Sequence, residues 1–187
     1  MNKEHDLIDS ELLSHVAVFD LPNYHKPILL TDAAMNIAPG IEDKKQIINN
    51  AVDFALKLNI KMPKVAILSA VEKINPKIPT TLEAENIINS YNRDDSLIYG
   101  PLQYDLAVSK DAAATKGIRS EVAGDADILI APQIEAGNIL YKSLVYSAGA
   151  RVAATILGAK VPIVLTSRAD SAEDKHNSIC LAMKSIS

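Results

Sequence analysis

A single cysteine (Cys180), two phenylalanines and no tryptophan mark where this 187-residue chain is poorest. One thiol can close neither an intrachain disulfide nor a cysteine-based zinc site, so the fold has no such staple, and a reducing cytosol suits it. Long hydrophobic runs are missing too. Nowhere do about eighteen uncharged apolar residues run together, and MNKEHDLIDSELL at the start has no apolar core of the kind a secretory leader needs. These absences predict a soluble, cytoplasmic protein that does not engage a membrane. An excess of positive charge is lacking as well. The formal net charge of -4 disfavours a nucleic-acid partner, and any bound anion must meet a local positive site. The histidines, His5, His15, His25 and His176, show no metal-type spacing, which predicts solvent contacts or core-edge hydrogen bonds and no metal site. GxGxxG, GxxxxGK[ST] and GxSxG are all absent, which removes dinucleotide fingerprints, phosphate loops and the hydrolase elbow.

What is present is ordinary globular chemistry. Hydrophobic residues make up 48% of the chain and charged ones 22%, enough to bury a core in one domain or a domain plus part of a second. Short β-rich runs recur at 15–21, 27–32, 64–71, 96–102, 127–132 and 161–166. Several lack in/out alternation, the habit of strands covered on both faces, and this predicts an α/β fold with a mostly parallel sheet sandwiched by helices. The first two runs lie too close for a parallel crossover, so they are antiparallel or belong to different sheets. Helical patterns fill 41–59, 81–92, 104–117, 137–158 and 171–186, with Gly117 and Gly158 placed as C-terminal stops. Prolines fall at the flanks of these elements.

Three strand-to-helix turns carry polar residues where α/β sheets bind ligands: TDAAMNIAPG (31–40), APQIEAGNILYK (131–142) and LTSRADSAED (165–174). The first holds Asp32 at a strand end and Asn36 in the loop, both turn or cap types. In the second, Gly137 and Asn138 open the long helix, with Asn138 as N-cap and Lys142 one turn further on the same face. The third delivers Ser167 and Arg168 to the mouth of a buried strand, and Ser171 to Asp174 reads as a capping box. A guanidinium at a helix start opposes the macrodipole, so either an acid such as Asp170 pairs with Arg168 or a bound phosphate does.

Taken in order, TDAAMNIAP, GPLQYD (100–105), KGIRSEVAGDADILIAP (116–132), IEAGNILYKSL (134–144) and VPIVLTSRADSAEDK (161–175) resemble the phosphate acyltransferases. That group contains phosphate acetyltransferase and phosphate butyryltransferase. The match runs from about Leu13 to the C-terminus, and SHVAVFDLP with LTSRADS leans toward the butyryl branch. The resemblance implies reversible transfer of a short acyl group between coenzyme A and inorganic phosphate, with coenzyme A as substrate and no cofactor. It implies a two-domain architecture like that of isocitrate and isopropylmalate dehydrogenases, a cleft active site and a homodimer. By similarity, Arg168 holds the phosphate, Ser167 stabilises the transition state and Asp174 takes the thiol proton. Asp32, Asn36, Gly137, Asn138 and Lys142 fall at substrate-binding positions.

The resemblance also marks departures. Tyr146 stands where several relatives have arginine, and Tyr99 where they usually have aspartate. The family's long N-terminal segment, which builds most of the first domain, has no counterpart here. On that view residues 1–27 are a remnant of the first domain, 28–156 form the second α/β domain, and 157–187 belong to the first domain and cleft. The alternative reading is a truncated, non-catalytic family member that dimerises and binds a phosphate-like or coenzyme A-like ligand without turnover.

Overall fold

Side chains on a strand point alternately to its two faces, and in this chain both faces are apolar. A computed structural model describes residues 10–168 and 170–185; His5 lies outside them. The strands are β1 (Ser14–Asp20), β2 (Ile28–Thr31), β3 (Lys64–Leu68), β4 (Leu97–Leu102), β5 (Ile128–Ile130) and β6 (Arg151–Leu157). They form one sheet in the order β4-β3-β5-β2-β1-β6. Pairs β2–β5, β3–β5 and β3–β4 are parallel, whereas β1 runs antiparallel to both β2 and β6. The expected antiparallel option for the first two strands is therefore the one realised.

Helices cover both faces. On one, Ile48, Val52 and Phe54 of α1 (Ile41–Lys57) and Ile87 of α2 (Pro79–Asn89) pack on Val16, Leu29, Val65 and Ile128. On the other, Leu106 of α3 (Tyr104–Val108), Ala113 of α4 (Lys110–Thr115) and Tyr141 of α5 (Ile134–Tyr146) pack on Ala17, Phe19, Leu30 and Leu129. Neighbours such as Leu29 and Leu30 thus serve opposite cores. Each fully buried Leu or Ile contributes about 1.5–3 kcal/mol.

The 17-residue helix α1 follows its sequence signals. Glu42 and Asp43 sit in its first turn and Lys57 in its last, which complements the macrodipole, and the Asp43 carboxylate accepts from the Gly40 N–H at 3.2 Å. The buried Lys44 ammonium on its inner face pairs with Glu83.

Four local expectations need correction. The stretch 104–117 is two short helices, because Ser109 takes an extended conformation and caps α4 through the Ala112 N–H. Helix α5 starts at Ile134 behind Gln133, so Asn138 sits inside the helix and is not its N-cap. The same pattern does not run to 158. Gly149 adopts a φ of 69°, and Val152, Thr155 and Ile156 continue as the strand β6. β-branched residues pack well on a pleated surface, and that preference outweighs the helix propensity of the intervening alanines. Gly158 accordingly ends a strand, not a helix. Finally, 161–166 is no buried strand: only an isolated bridge joins Ile163 to Ile156, and Val161, Val164 and Leu165 are exposed.

That last segment still has a structural task. β6 is an edge strand, and edge N–H groups need partners. Val152 N–H donates to Asp174 Oδ1 (3.3 Å), Ala154 N–H to Ser178 Oγ (3.0 Å) and Ile156 N–H to the Ile163 carbonyl (2.9 Å). Helix α6 (Ala172–Ser185) and the segment before it therefore seal the β6 edge.

Candidate functional site

The sheet has a point where its connections diverge. From β2 the chain crosses through α1 on one face to β3, whereas from β5 it crosses through α5 on the other face to β6. Between the carboxyl ends of such strands a crevice opens, and ligands of α/β proteins bind there. A cavity of about 310 Å³ occupies this position, lined by His15, Ala33, Ala34, Asn138, Tyr141, Lys142, Leu165, Thr166 and Ser167. β1 runs antiparallel to β2, which brings its first residues, including His15, to the same end.

Of the residues singled out in the sequence, Ser167, Asn138 and Lys142 line this cavity. Lys142 lies one turn beyond Asn138, and its ammonium sits 4.8 Å from the centre of the Tyr141 ring. Asn138 Nδ2 donates to the Ala33 carbonyl at 3.2 Å, which ties α5 to the loop after β2. Ser167 and Asp170 form a tight turn. The Ser167 N–H donates to Asp170 Oδ2 (2.7 Å), and the Asp170 N–H donates to the Ser167 carbonyl (3.1 Å). The Asp170 carboxylate is thus used on the backbone, and Arg168, next in the chain to the cavity lining, is exposed with no ion pair among the described residues.

Asp32, Asn36 and Gly137 lie beside the cavity without lining it. Asp32 is 3% exposed, and its carboxylate accepts four hydrogen bonds: from the N–H groups of His15 (3.0 Å), Ala34 (2.8 Å) and Met35 (2.9 Å), and from Asn36 Nδ2 (2.6 Å). Asn36 also donates to the Leu13 carbonyl at 3.0 Å. Together they bind the start of β1 to the turn after β2. Gly137 permits the close approach of α5 to that turn, since a Cβ there would stand 2.5 Å from the Asp32 carbonyl and 3.0 Å from Ala33 Cα.

Asp174 opens α6. Its N–H donates to Ser171 Oγ (3.0 Å), and its Oδ2 accepts the Ser171 hydroxyl (2.6 Å). This is half of the expected capping box, with the hydroxyl replacing the usual backbone N–H as donor to the carboxylate. The other oxygen holds Val152 of the sheet edge.

Tyr141 and His15 also line the cavity, although neither is marked as a site residue by the sequence. Tyr141 meets Phe19 edge-on, with ring centres 5.3 Å apart, worth about 0.5–1.5 kcal/mol beyond burial. Burial, reinforced by Asp170 and Asp174, holds its phenol well above the usual range, so it stays protonated. His15 is 3% exposed, and its Nδ1 has no hydrogen-bond partner among the described residues. Burial pushes its pKa down, against the opposing charges of Asp32 and Asp170. No described residue makes the expected core-edge hydrogen bond to this ring nitrogen, and an unmet buried polar atom costs about 1–3 kcal/mol. The only sequence signal was a polar residue at the start of an otherwise apolar strand. Of the remaining described histidines, His25 bonds Asp125 at 2.8 Å, and His176 lies 3.7 Å from the Cys180 sulfur.

Comparison with known proteins gives this geometry a context. A family model described as "Phosphate acetyl/butaryl transferase" matches residues 3–183. The chain is 53% identical over 186 residues to "Probable phosphate butyryltransferase" of Bacillus subtilis (strain 168), covering 98% of this chain and 62% of that protein. It is 44% identical over 186 residues to a phosphate acetyltransferase of Thermotoga maritima, covering 97% of this chain and 63% of that one. Among solved structures, a branched-chain phosphotransacylase from Enterococcus faecalis V583 superposes with a TM-score of 0.93 at 45% identity, over 100% of this chain and 67% of that chain. A 4-hydroxythreonine-4-phosphate dehydrogenase structure from Salmonella typhimurium, at 17% identity and a TM-score of 0.59, shares the fold alone, as the dehydrogenase-like expectation requires. The chain spans about 62% of the length of the B. subtilis relative. Ordered motifs, a dehydrogenase-like sheet and a family match over nearly the whole chain converge: this protein belongs to the phosphate acetyl/butyryltransferase family.

Proposed function

We propose that the chain carries the reacting end of a phosphate acyltransferase, in which acyl-CoA and inorganic phosphate exchange to give acyl phosphate and coenzyme A. The observation that supports this most is the meeting of Lys142, Asn138 and Ser167 around one cavity at the sheet's divergence point, with Arg168 adjacent. In this reading Lys142 and Arg168 attract and hold the phosphate, and the Ser167 hydroxyl donates to charge developing on the carbonyl oxygen. Such donors contribute about 2–4 kcal/mol each when fixed in place. In the direction that forms acyl-CoA, Asp174 accepts the thiol proton as sulfur attacks the acyl carbonyl and phosphate departs. A thiol of pKa about 8.5 is mostly protonated at neutral pH, so a carboxylate base has a task there. Asp32, Asn36 and Gly137 act as positioning residues that hold the cavity wall.

A second reading also has support. Arg168 is exposed, and each Asp174 oxygen already accepts a hydrogen bond, which fits a chain that binds a phosphate-like or coenzyme A-like ligand without turnover. Thiol release from acetyl-, butyryl- and isobutyryl-CoA in the presence of phosphate separates the two. Release supports the transferase; ligand binding by calorimetry with no release supports the binder.

The same proposal includes a cytoplasmic homodimer, tested by light scattering on the purified chain. It also keeps the division at residues 27 and 157. The exposed Val161, Val164, Leu165, Ile179 and Met183 support a C-terminal stretch that packs against further protein, and limited proteolysis of a full-length relative tests it.

A further inference from the structure

His15 holds hydrogen-bonding capacity that the protein itself does not use. Its main chain is locked on both sides: the N–H donates to Asp32 Oδ2 at 3.0 Å, and the carbonyl accepts from Thr31 Oγ1 at 2.8 Å. The imidazole is held at the inner wall of the cavity, its centre 6.3 Å from that of Tyr141, and its buried Nδ1 has no partner among the described residues. Ordinary core packing does not account for this choice of side chain. An aromatic ring of similar size without nitrogens would fill the space and leave nothing unmet, whereas an unpaired polar group in a native interior calls for a reason such as a catalytic role or a bound ion that completes it. The walls that share the cavity specify the ligand's chemistry. Lys142 supplies a cation, Ser167 a hydroxyl and Asn138 an amide, and among the described residues no carboxylate lines the space. Such a lining suits an oxyanion.

We propose that His15 is a substrate-contacting residue that donates a ring N–H to an oxygen of the phosphate bound in this cavity. The proposal rests on the acyltransferase reading above and adds a residue to it. A neutral donor at this depth complements the charges of Lys142 and Arg168: it orients the oxyanion without adding a further cation at the inner wall. Burial, which outweighs the pull of Asp32 and Asp170, keeps the ring in that neutral form.

Phosphate oxygens could come from inorganic phosphate or from coenzyme A, so the test has two arms. The histidine ring resonances of the ¹⁵N-labelled full chain are followed by NMR while either inorganic phosphate or coenzyme A is titrated in, with His15→Phe assigning the signal. Phosphate should shift the His15 resonances saturably, and coenzyme A alone should not. By calorimetry His15→Phe should weaken phosphate binding about tenfold or more, as loss of a bond to a charged group does, while melting no lower than wild type. His15→Gln, which restores a donor, should recover part of the affinity. Phosphate binding that leaves the His15 signals unmoved, or that His15→Phe preserves within about twofold, overturns the proposal and spares the acyltransferase reading. A His15 signal moved by coenzyme A but not by phosphate also overturns it. If the wild-type chain binds no phosphate at all, the underlying reading falls and the proposal with it. Should His15→Phe fail to fold, His15→Gln assigns the signal and the wild-type resonances decide.

Discussion

At the residue scale, side chains near the cavity divide into those already committed to the fold and those left available. Asp32, with four hydrogen bonds, belongs to the first class, and Arg168, exposed with no ion pair among the described residues, belongs to the second. Arg168→Gln should therefore leave the urea midpoint unchanged, within about 0.5 kcal/mol as for surface substitutions. In any preparation that turns over, the same change should lower phosphate-dependent thiol release by about 100-fold or more, the cost of losing one preorganised transition-state donor. Near-normal rates would remove Arg168 from the chemistry. Gly137 makes the opposite case. An alanine there meets the Asp32 carbonyl at 2.5 Å, and because backbone cannot step aside cheaply, Gly137→Ala should cost about 1–3 kcal/mol in urea unfolding.

At the element scale, α6 serves two ends at once. Its first turn presents Asp174 to the Val152 N–H, and its second presents Ser178 to the Ala154 N–H, so the helix closes the β6 edge while anchoring the loop that carries Ser167 and Arg168. Ser178→Ala removes an acceptor from a buried edge N–H and should destabilise by about 1–3 kcal/mol. Asp174→Asn keeps an oxygen for Val152 and should cost less than about 1 kcal/mol, as a conservative cap change does. If Asp174 is the base, however, Asn cannot take the thiol proton, and turnover should fall by about 100-fold or more. Urea unfolding and thiol release on the two variants separate edge sealing from proton transfer: equal stability losses with unchanged turnover would leave Asp174 a structural residue.

At the scale of the whole molecule, the end of the sheet opposite the cavity is tied by two carboxylates, Asp127, which pairs with Lys26 at 2.7 Å and accepts the Lys64 N–H at 2.9 Å, and Asp125. Asp125 bonds Lys64 (2.5 Å) at the start of β3, His25 (2.8 Å) before β2 and Lys26 (3.2 Å) beside it. Burial raises its pKa, but hydrogen bonds from Lys64, Lys26 and His25 outweigh burial and hold the carboxyl well below the usual range. The folded state therefore binds this proton less readily than the unfolded one. Its stabilisation is complete above the unfolded value of about 3.9 and is lost as the pH falls below it. Asp125→Asn should cost about 1.5–3 kcal/mol at pH 6, and the gap from wild type should narrow as unfolding is measured down toward pH 3. A gap independent of pH would mean that the cluster acts through packing and not through charge.

The alternation of apolar runs and helical periods, together with five ordered motifs, determined the α/β class, the helices α1 and α2, the family and three of the cavity residues, because local propensity and side-chain chemistry are written residue by residue. Tertiary structure alone decided that 151–157 is a strand and 161–166 is not, since the first forms a full ladder with β1, whereas the second meets the β6 edge at a single bridge and α6 side chains take the rest of that edge. It also decided that His15 lines the cavity at the sheet's divergence point. Whether a histidine's nitrogen finds a partner depends on residues distant in the chain, here the Tyr141 and Lys142 that share its cavity, which only the assembled sheet and its crossing helix bring together.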